Sequence, residues 1–89
     1  MSRAVVFRET ALRGLARVNT IARANGEDRG LLTRTRQAIA ALAYDPYPQG
    51  TVPWGVTGIY RLHAGQVRVL YEVDEEAATI FIINVGLLS

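Results

Sequence analysis

Apolar and polar residues alternate along Tyr60-Arg61-Leu62-His63-Ala64-Gly65-Gln66-Val67-Arg68-Val69-Leu70-Tyr71, on both sides of a Gly-Gln pair. A period of two predicts paired β-strands. Gly-X between them predicts a type II′ hairpin turn, because glycine takes the positive φ of the first central position without strain. With Gly65 and Gln66 as the loop, Ala64 faces Val67, His63 faces Arg68, Leu62 faces Val69, Arg61 faces Leu70 and Tyr60 faces Tyr71. Directly paired residues share a face. Tyr60, Leu62, Ala64, Val67, Val69, Tyr71 and Val73 then form a core surface, with Arg61, His63, Arg68, Leu70 and Glu72 on the opposite side. A three-residue loop would turn Arg68 inward instead, so the register carries the functional reading.

The remaining pattern surrounds this hairpin with two helices and two strands. Ala4-Val5-Val6-Phe7 reads as a short first strand. From Glu9 to Ala24, Leu12, Leu15, Val18, Ile21 and Ala22 recur at three- and four-residue spacing, with Arg13, Arg17 and Arg23 between them. That spacing predicts an amphipathic helix. Thr10 lies late for an N-cap, whereas Asn25-Gly26 is a stop signal. Asp28 can cap a second helix whose buried stripe is Leu32, Thr35, Ile39, Leu42 and Ala43, with Arg29, Arg34, Arg36 and Gln37 outward. Asp45-Pro46 closes it, since the residue before proline is steered out of the helical region.

Tyr44 to Thr57 holds all three prolines and the only tryptophan and reads as a loop. Trp54 is expected to pack over the edge of the core rather than stack on a base. Asp74-Glu75-Glu76 supplies a polar turn, and Ala78 to Val85 is apolar almost throughout, as in a strand covered on both faces. The expectation is one α+β domain over residues 1–89, in the order strand, helix, helix, strand, strand, strand. Two antiparallel N-terminal helices pack on a mostly antiparallel four-stranded sheet.

Composition narrows the chemistry. The chain has 89 residues, no cysteine, one histidine and a formal net charge of +2. Disulfides, thiol nucleophiles and thiolate zinc sites are thereby excluded, and no cofactor or metal is expected. All ten basic residues are arginine, which stays protonated at working pH, so a general base must be His63, a carboxylate or a tyrosine. The N-terminal apolar run is too short for a secretory signal and no segment is long enough to span a membrane, so a cytoplasmic location is expected. The arginines of both helices read as a solvated face.

Arg61, His63 and Arg68 converge on the open face of the hairpin. Guanidinium forks suit phosphate oxygens, and an imidazole beside them can move a proton near neutral pH. The plainer reading, polar residues on the solvated side of a half-exposed strand, stands beside it.

Several stretches together resemble the RelE/ParE superfamily of bacterial toxins, and its RelE branch in particular. They are Phe7 through Leu15, Leu42-Ala43-Tyr44-Asp45-Pro46, Gly58-Ile59-Tyr60-Arg61-Leu62, Gly65 through Asp74, and Ile82-Ile83-Asn84-Val85-Gly86. The resemblance implies a RelE-like fold and an endoribonuclease that cuts messenger RNA in the ribosomal A site without a metal. It implies attack by the ribose 2′-hydroxyl on the adjacent phosphate, with Arg61 and Arg68 at the scissile phosphate; His63 falls where relatives often carry a lysine or arginine, and is the candidate base by elimination as much as by position. Its implied partners are a cognate RelB-like antitoxin with an acidic, initially disordered segment, the ribosome and messenger RNA, and operator DNA only through the antitoxin complex. Tyr60 and Tyr71 are packing residues in this register, and Glu72 is expected to form an ion pair.

One departure bears on activity. After the last Val-Gly, active relatives continue with basic or histidine residues and a tyrosine, whereas Leu87-Leu88-Ser89 stands here. A weakened enzyme is the corresponding expectation. Two alternatives share the fold: a ParE-like toxin that binds DNA gyrase, and a catalytically disabled toxin that serves as antitoxin-binding and operon co-repressor partner.

Overall fold

A computed structural model describes residues 2–24 and 30–88. Strand β1 (Ala4–Phe7) leads into helix α1 (Glu9–Ala24) and helix α2 (Gly30–Ala41). Strands β2 (Val52–Pro53), β3 (Ile59–Ala64), β4 (Val67–Asp74) and β5 (Thr79–Leu87) follow. The class is α+β as expected, but the sheet has five strands rather than four, in the order β1-β5-β4-β3-β2. The added strand is the two-residue β2, paired antiparallel with β3. The expected loop hid it because proline donates no ladder hydrogen bond and is tolerated only at an edge, where Pro53 sits. β1 runs parallel to β5, and the other pairings are antiparallel.

The hairpin has the predicted register, with Ala64 opposite Val67, His63 opposite Arg68 and Tyr60 opposite Tyr71. Gly65 takes φ +64°, and Gln66 is not among the residues at positive φ, as a type II′ turn requires. Between β4 and β5 the register slips by one: Leu70 faces Asn84 while Tyr71 faces Ile82, leaving Ile83 as the extra residue of a bulge. The bulge lets Ile82 and Val85, three apart, both face the core, where both are fully or almost fully buried.

Both helices cover one face of the sheet. The core holds Ala11, Leu15, Val18 and Ala22 of α1, Leu31 and Ile39 of α2, and Leu62, Val67, Val69, Tyr71, Ile80, Ile82 and Val85 of the sheet. The α1 stripe is therefore rotated from the expected one: Leu12 and Ile21 are exposed, and Ala11 is buried in their place. Gly14 explains the rotation. A Cβ built on it would lie 2.1 Å from the Val85 carbonyl oxygen, so α1 rests directly on the β5 backbone at this point. Thr10, expected as a late cap, instead donates its hydroxyl hydrogen bond to the Ile83 carbonyl, tying the first turn of α1 to the same strand.

In α2, Leu31 leads the buried stripe and Leu32 is partly buried against it. Arg34, Arg36 and Gln37 point outward as expected. The Asn25-Gly26 stop and the Asp28 cap lie outside the described residues. The helix ends at Ala41, and turns through Tyr44 lead to Asp45-Pro46. Here Tyr71, fully buried, donates its hydroxyl hydrogen bond to the Pro46 carbonyl at 2.6 Å. Tyr60 packs against it with ring centroids 5.9 Å apart, so both tyrosines are packing residues, as read from the pattern.

Among the described residues, no helix lies over the other face of the sheet. The expectation that β5 is covered on both sides is corrected accordingly: Phe81 is shielded by the Arg8 guanidinium, 4.4 Å from its ring centroid, rather than by a second layer.

Candidate functional site on the open sheet face

The open face gathers its polar site residues from two adjacent strands. Arg61 and His63 stand two apart on β3 and thus share a side of the pleat; Arg68 on β4 lies directly opposite His63 and diagonal to Arg61. Cβ atoms of directly opposed residues lie about 4.5–5.5 Å apart and diagonal ones about 7–8 Å. All three predicted site residues therefore occupy one patch, with His63 exposed and the two arginines half-buried.

The arginine heads diverge from this shared base. Arg61 leans toward β2, its guanidinium carbon 4.4 Å from the centroid of the Trp54 ring. Arg68 leans the other way, across Gly86, its register partner on β5. A Cβ on Gly86 would lie 3.8 Å from an Arg68 Nη and 3.7 Å from the Asn84 Oδ1. The head reaches a cavity of about 290 Å³ where Arg17, Gly14 and Val18 of α1 meet Gly86 and Leu87. His63 stands on the strand between the two.

Glu72 shares the face, as expected, but its partner is Arg8 at 3.9 Å, so that among the described residues neither Arg61 nor Arg68 has a carboxylate partner. Among the described residues the ion pairs are Arg3 with Glu75, Arg8 with Glu72 and Arg13 with Glu9. Among the described residues, Arg68 Nε is buried without a hydrogen-bond partner. A buried guanidinium donor without an acceptor is costly, and an incoming anion is the kind of group that offsets such a cost.

Three contributors to the face escaped the pattern. Trp54 is 43% exposed and stands against Arg61 on this face rather than over the edge of the core, where it was expected. Gly86, read only as the end of a strand, gives Arg68 room. Arg17 belongs to the helical arginines read as solvated, and only the α1 contact at Gly14 brings it to the Arg68 cavity. A lone tryptophan directly after a proline and five residues before a strand was the available signal for the first.

A second concavity, of about 600 Å³, lies on the helical side between β1, α1 and α2. Val5, Phe7, Leu12, Leu15 and Ile39 line it, with the exposed Arg36 at its wall.

The family described as ParE toxin of type II toxin-antitoxin system, parDE, matches residues 5–87. The chain belongs to this toxin family. The match spans nearly the whole fold, from β1 to the end of β5, and puts the chain in the RelE/ParE superfamily that its motifs resemble. No curated protein sequence matches it. Among solved structures, this ParE-family chain is similar to the toxin in the RelBE2 toxin-antitoxin complex of Mycobacterium tuberculosis. That likeness has 23% identity and a TM-score of 0.72, and covers 98% of this chain and 99% of that one. It is also similar to the isolated RelE toxin of E. coli, with 17% identity, a TM-score of 0.75, and 99% and 86% of the two chains covered. A third likeness is to the RelE-RelB complex of Pyrococcus horikoshii, with 20% identity, a TM-score of 0.73, and 98% and 96% covered. At these identities the shared property is the fold, which is RelE-like.

Proposed function

We propose that this toxin is a ribosome-dependent endoribonuclease that cuts messenger RNA by attack of a ribose 2′-hydroxyl on the adjacent phosphate. The observation that carries the reading is the pair of arginines, Arg61 and Arg68, that have no carboxylate partner among the described residues and flank His63 on an open sheet face. Arg61 and Arg68 hold the phosphate oxygens as negative charge builds on them, and cannot themselves accept a proton. His63 takes the 2′-proton as the bond from O2′ to phosphorus forms. The bond to the 5′-oxygen then breaks, and that oxygen is protonated by the imidazolium or by water. The products are a 2′,3′-cyclic phosphate and a 5′-hydroxyl.

A cognate antitoxin completes the reading. RelE toxins of similar fold are found in complexes with RelB antitoxins, and the apolar groove between β1, α1 and α2, with Arg36 at its wall, offers a seat for an acidic amphipathic segment. A second reading, in which the toxin binds DNA gyrase, draws on the ParE name of the matched family.

Primer extension on a defined messenger, with and without translating ribosomes, tests the proposal. Ribosome-dependent cuts are expected. Arg61→Ala and Arg68→Ala should each slow cleavage by about 10²–10³-fold, and His63→Ala by about 10²–10⁴-fold. Cuts that persist unchanged in all three variants would overturn it. Absence of cuts together with accumulation of gyrase-DNA adducts would establish the second reading instead.

A further inference from the structure

Trp54 stands on the phosphate-binding face yet has no role in the cleavage chemistry described above. Val52 is the register partner of Arg61, so the two share a side of the sheet, and Trp54, two residues on, returns to that side. Its indole lies against the Arg61 guanidinium at 4.4 Å, and the residue remains 43% exposed. It takes no part in the hydrophobic core. Its neighbours Val52 and Val56 are also exposed, so the hairpin presents apolar surface beside a cation.

The hairpin holds this surface in place. Trp54 N–H donates to the Ile59 carbonyl at 2.9 Å, Ile59 N–H to the Val56 carbonyl at 3.2 Å, and Val73 N–H to the Gly58 carbonyl at 2.9 Å. Gly55 and Gly58 supply the left-handed turns, at φ +76° and +90°. An aromatic ring fixed in advance loses little freedom when a partner stacks on it. An exposed aromatic beside an arginine that can grip phosphate is the combination with which proteins hold single-stranded nucleic acid.

We propose that Trp54 is a nucleobase platform, on which a base of the RNA gripped by Arg61 stacks. Arg61 stands between the indole and His63, and two strand residues span about 7 Å, so the platform lies roughly one nucleotide from the reacting phosphate. The inference rests on the ribonuclease reading for the identity of its ligand. It adds a contact to the base, sequence-tolerant in kind because every base has a stacking face.

Trp54 is the only tryptophan, so the intrinsic fluorescence of the unmodified protein reports on it alone. The probe is a short single-stranded RNA with 2′-O-methyl sugars, which has no attacking hydroxyl and cannot be cut. An abasic oligomer of equal length and charge is the control. Saturable quenching by the RNA, with little or none from the abasic oligomer, is the expected result. Trp54→Ala should weaken RNA binding about tenfold or more, measured by anisotropy of a labelled strand, while Trp54→Phe, which still stacks, retains most of the affinity. Binding without quenching, equal binding by Trp54→Ala, or no binding to RNA at all would overturn the platform; so would quenching confined to an antitoxin peptide. Quenching in a protein that cuts no messenger would uphold the platform and refute the ribonuclease, whereas cleavage without quenching would do the reverse.

Discussion

Two residues of the same hairpin show how differently a polar group behaves on the two sides of one sheet. Tyr71 points inward with its hydroxyl on the Pro46 carbonyl, and burial, reinforced by the charge of Asp45, raises its pKa above the ordinary 10.0 despite the opposing Thr51 contact. Linkage gives the sign. Below pH 10 both folded and unfolded chains keep the proton, and the contribution is complete. As the pH rises past 10 the unfolded chain ionises first, and stability falls until the folded hydroxyl ionises too. Tyr47, raised by burial and by Glu75, adds to the same trend. Tyr71→Phe should therefore reduce the alkaline loss without abolishing it, and cost about 1–3 kcal/mol at neutral pH by leaving the Pro46 carbonyl unpaired. Urea titrations from neutral to strongly alkaline pH check both effects; an unchanged alkaline slope would refute the assignment. Arg68, on the outward side, meets no such acceptor at Nε among the described residues, and its unmet demand is what the functional reading uses.

At the scale of elements, helix α1 carries a prediction whose sign runs against the usual rule. In an ordinary helix interior, replacing glycine with alanine stabilises by about 1 kcal/mol. At Gly14 the new methyl would meet backbone, the Val85 carbonyl oxygen at 2.1 Å, and α1 would have to lift from β5. Gly14→Ala should instead destabilise by about 1–3 kcal/mol or more, read as a lower denaturation midpoint. A raised midpoint would refute the close approach. This contact also marks where sequence reading ran out. The β3–β4 hairpin was legible to the residue because its register follows from a local turn and strict alternation. The helix period was legible too, but not its rotation, since Leu12 looks more buriable than Ala11 until a neighbouring strand decides. β2 was missed because two residues have no period and one is proline. The patch of Arg61, His63 and Arg68 could be read from the hairpin, whereas Trp54 just past β2, Gly86 on β5 and Arg17 on α1 join it only through long-range packing.

For the molecule as a whole, charge is sorted along β4. Its first turn-proximal residues carry Arg68 opposite His63, and its far end runs into Asp74, Glu75 and Glu76. Six residues of strand separate Arg68 from Asp74, about 20 Å, which exceeds the Debye length of about 8 Å at physiological ionic strength. Glu72, nearer, is occupied by Arg8. If RNA binds this face as proposed, the acidic end orients it at low salt but does little to the bound phosphates in physiological salt, where the neighbouring arginines decide affinity. If Arg61 and Arg68 each neutralise one phosphate, the logarithm of RNA affinity should fall against the logarithm of salt with a slope of about −1.4. Arg61→Ala combined with Arg68→Ala should flatten that slope toward zero, whereas Glu76→Gln should leave both slope and affinity unchanged near physiological salt. Anisotropy titrations over a range of potassium chloride concentrations measure this directly. A double variant that keeps the parental slope would move the phosphate contacts off this face, and with them the reason for assigning His63 to the reaction.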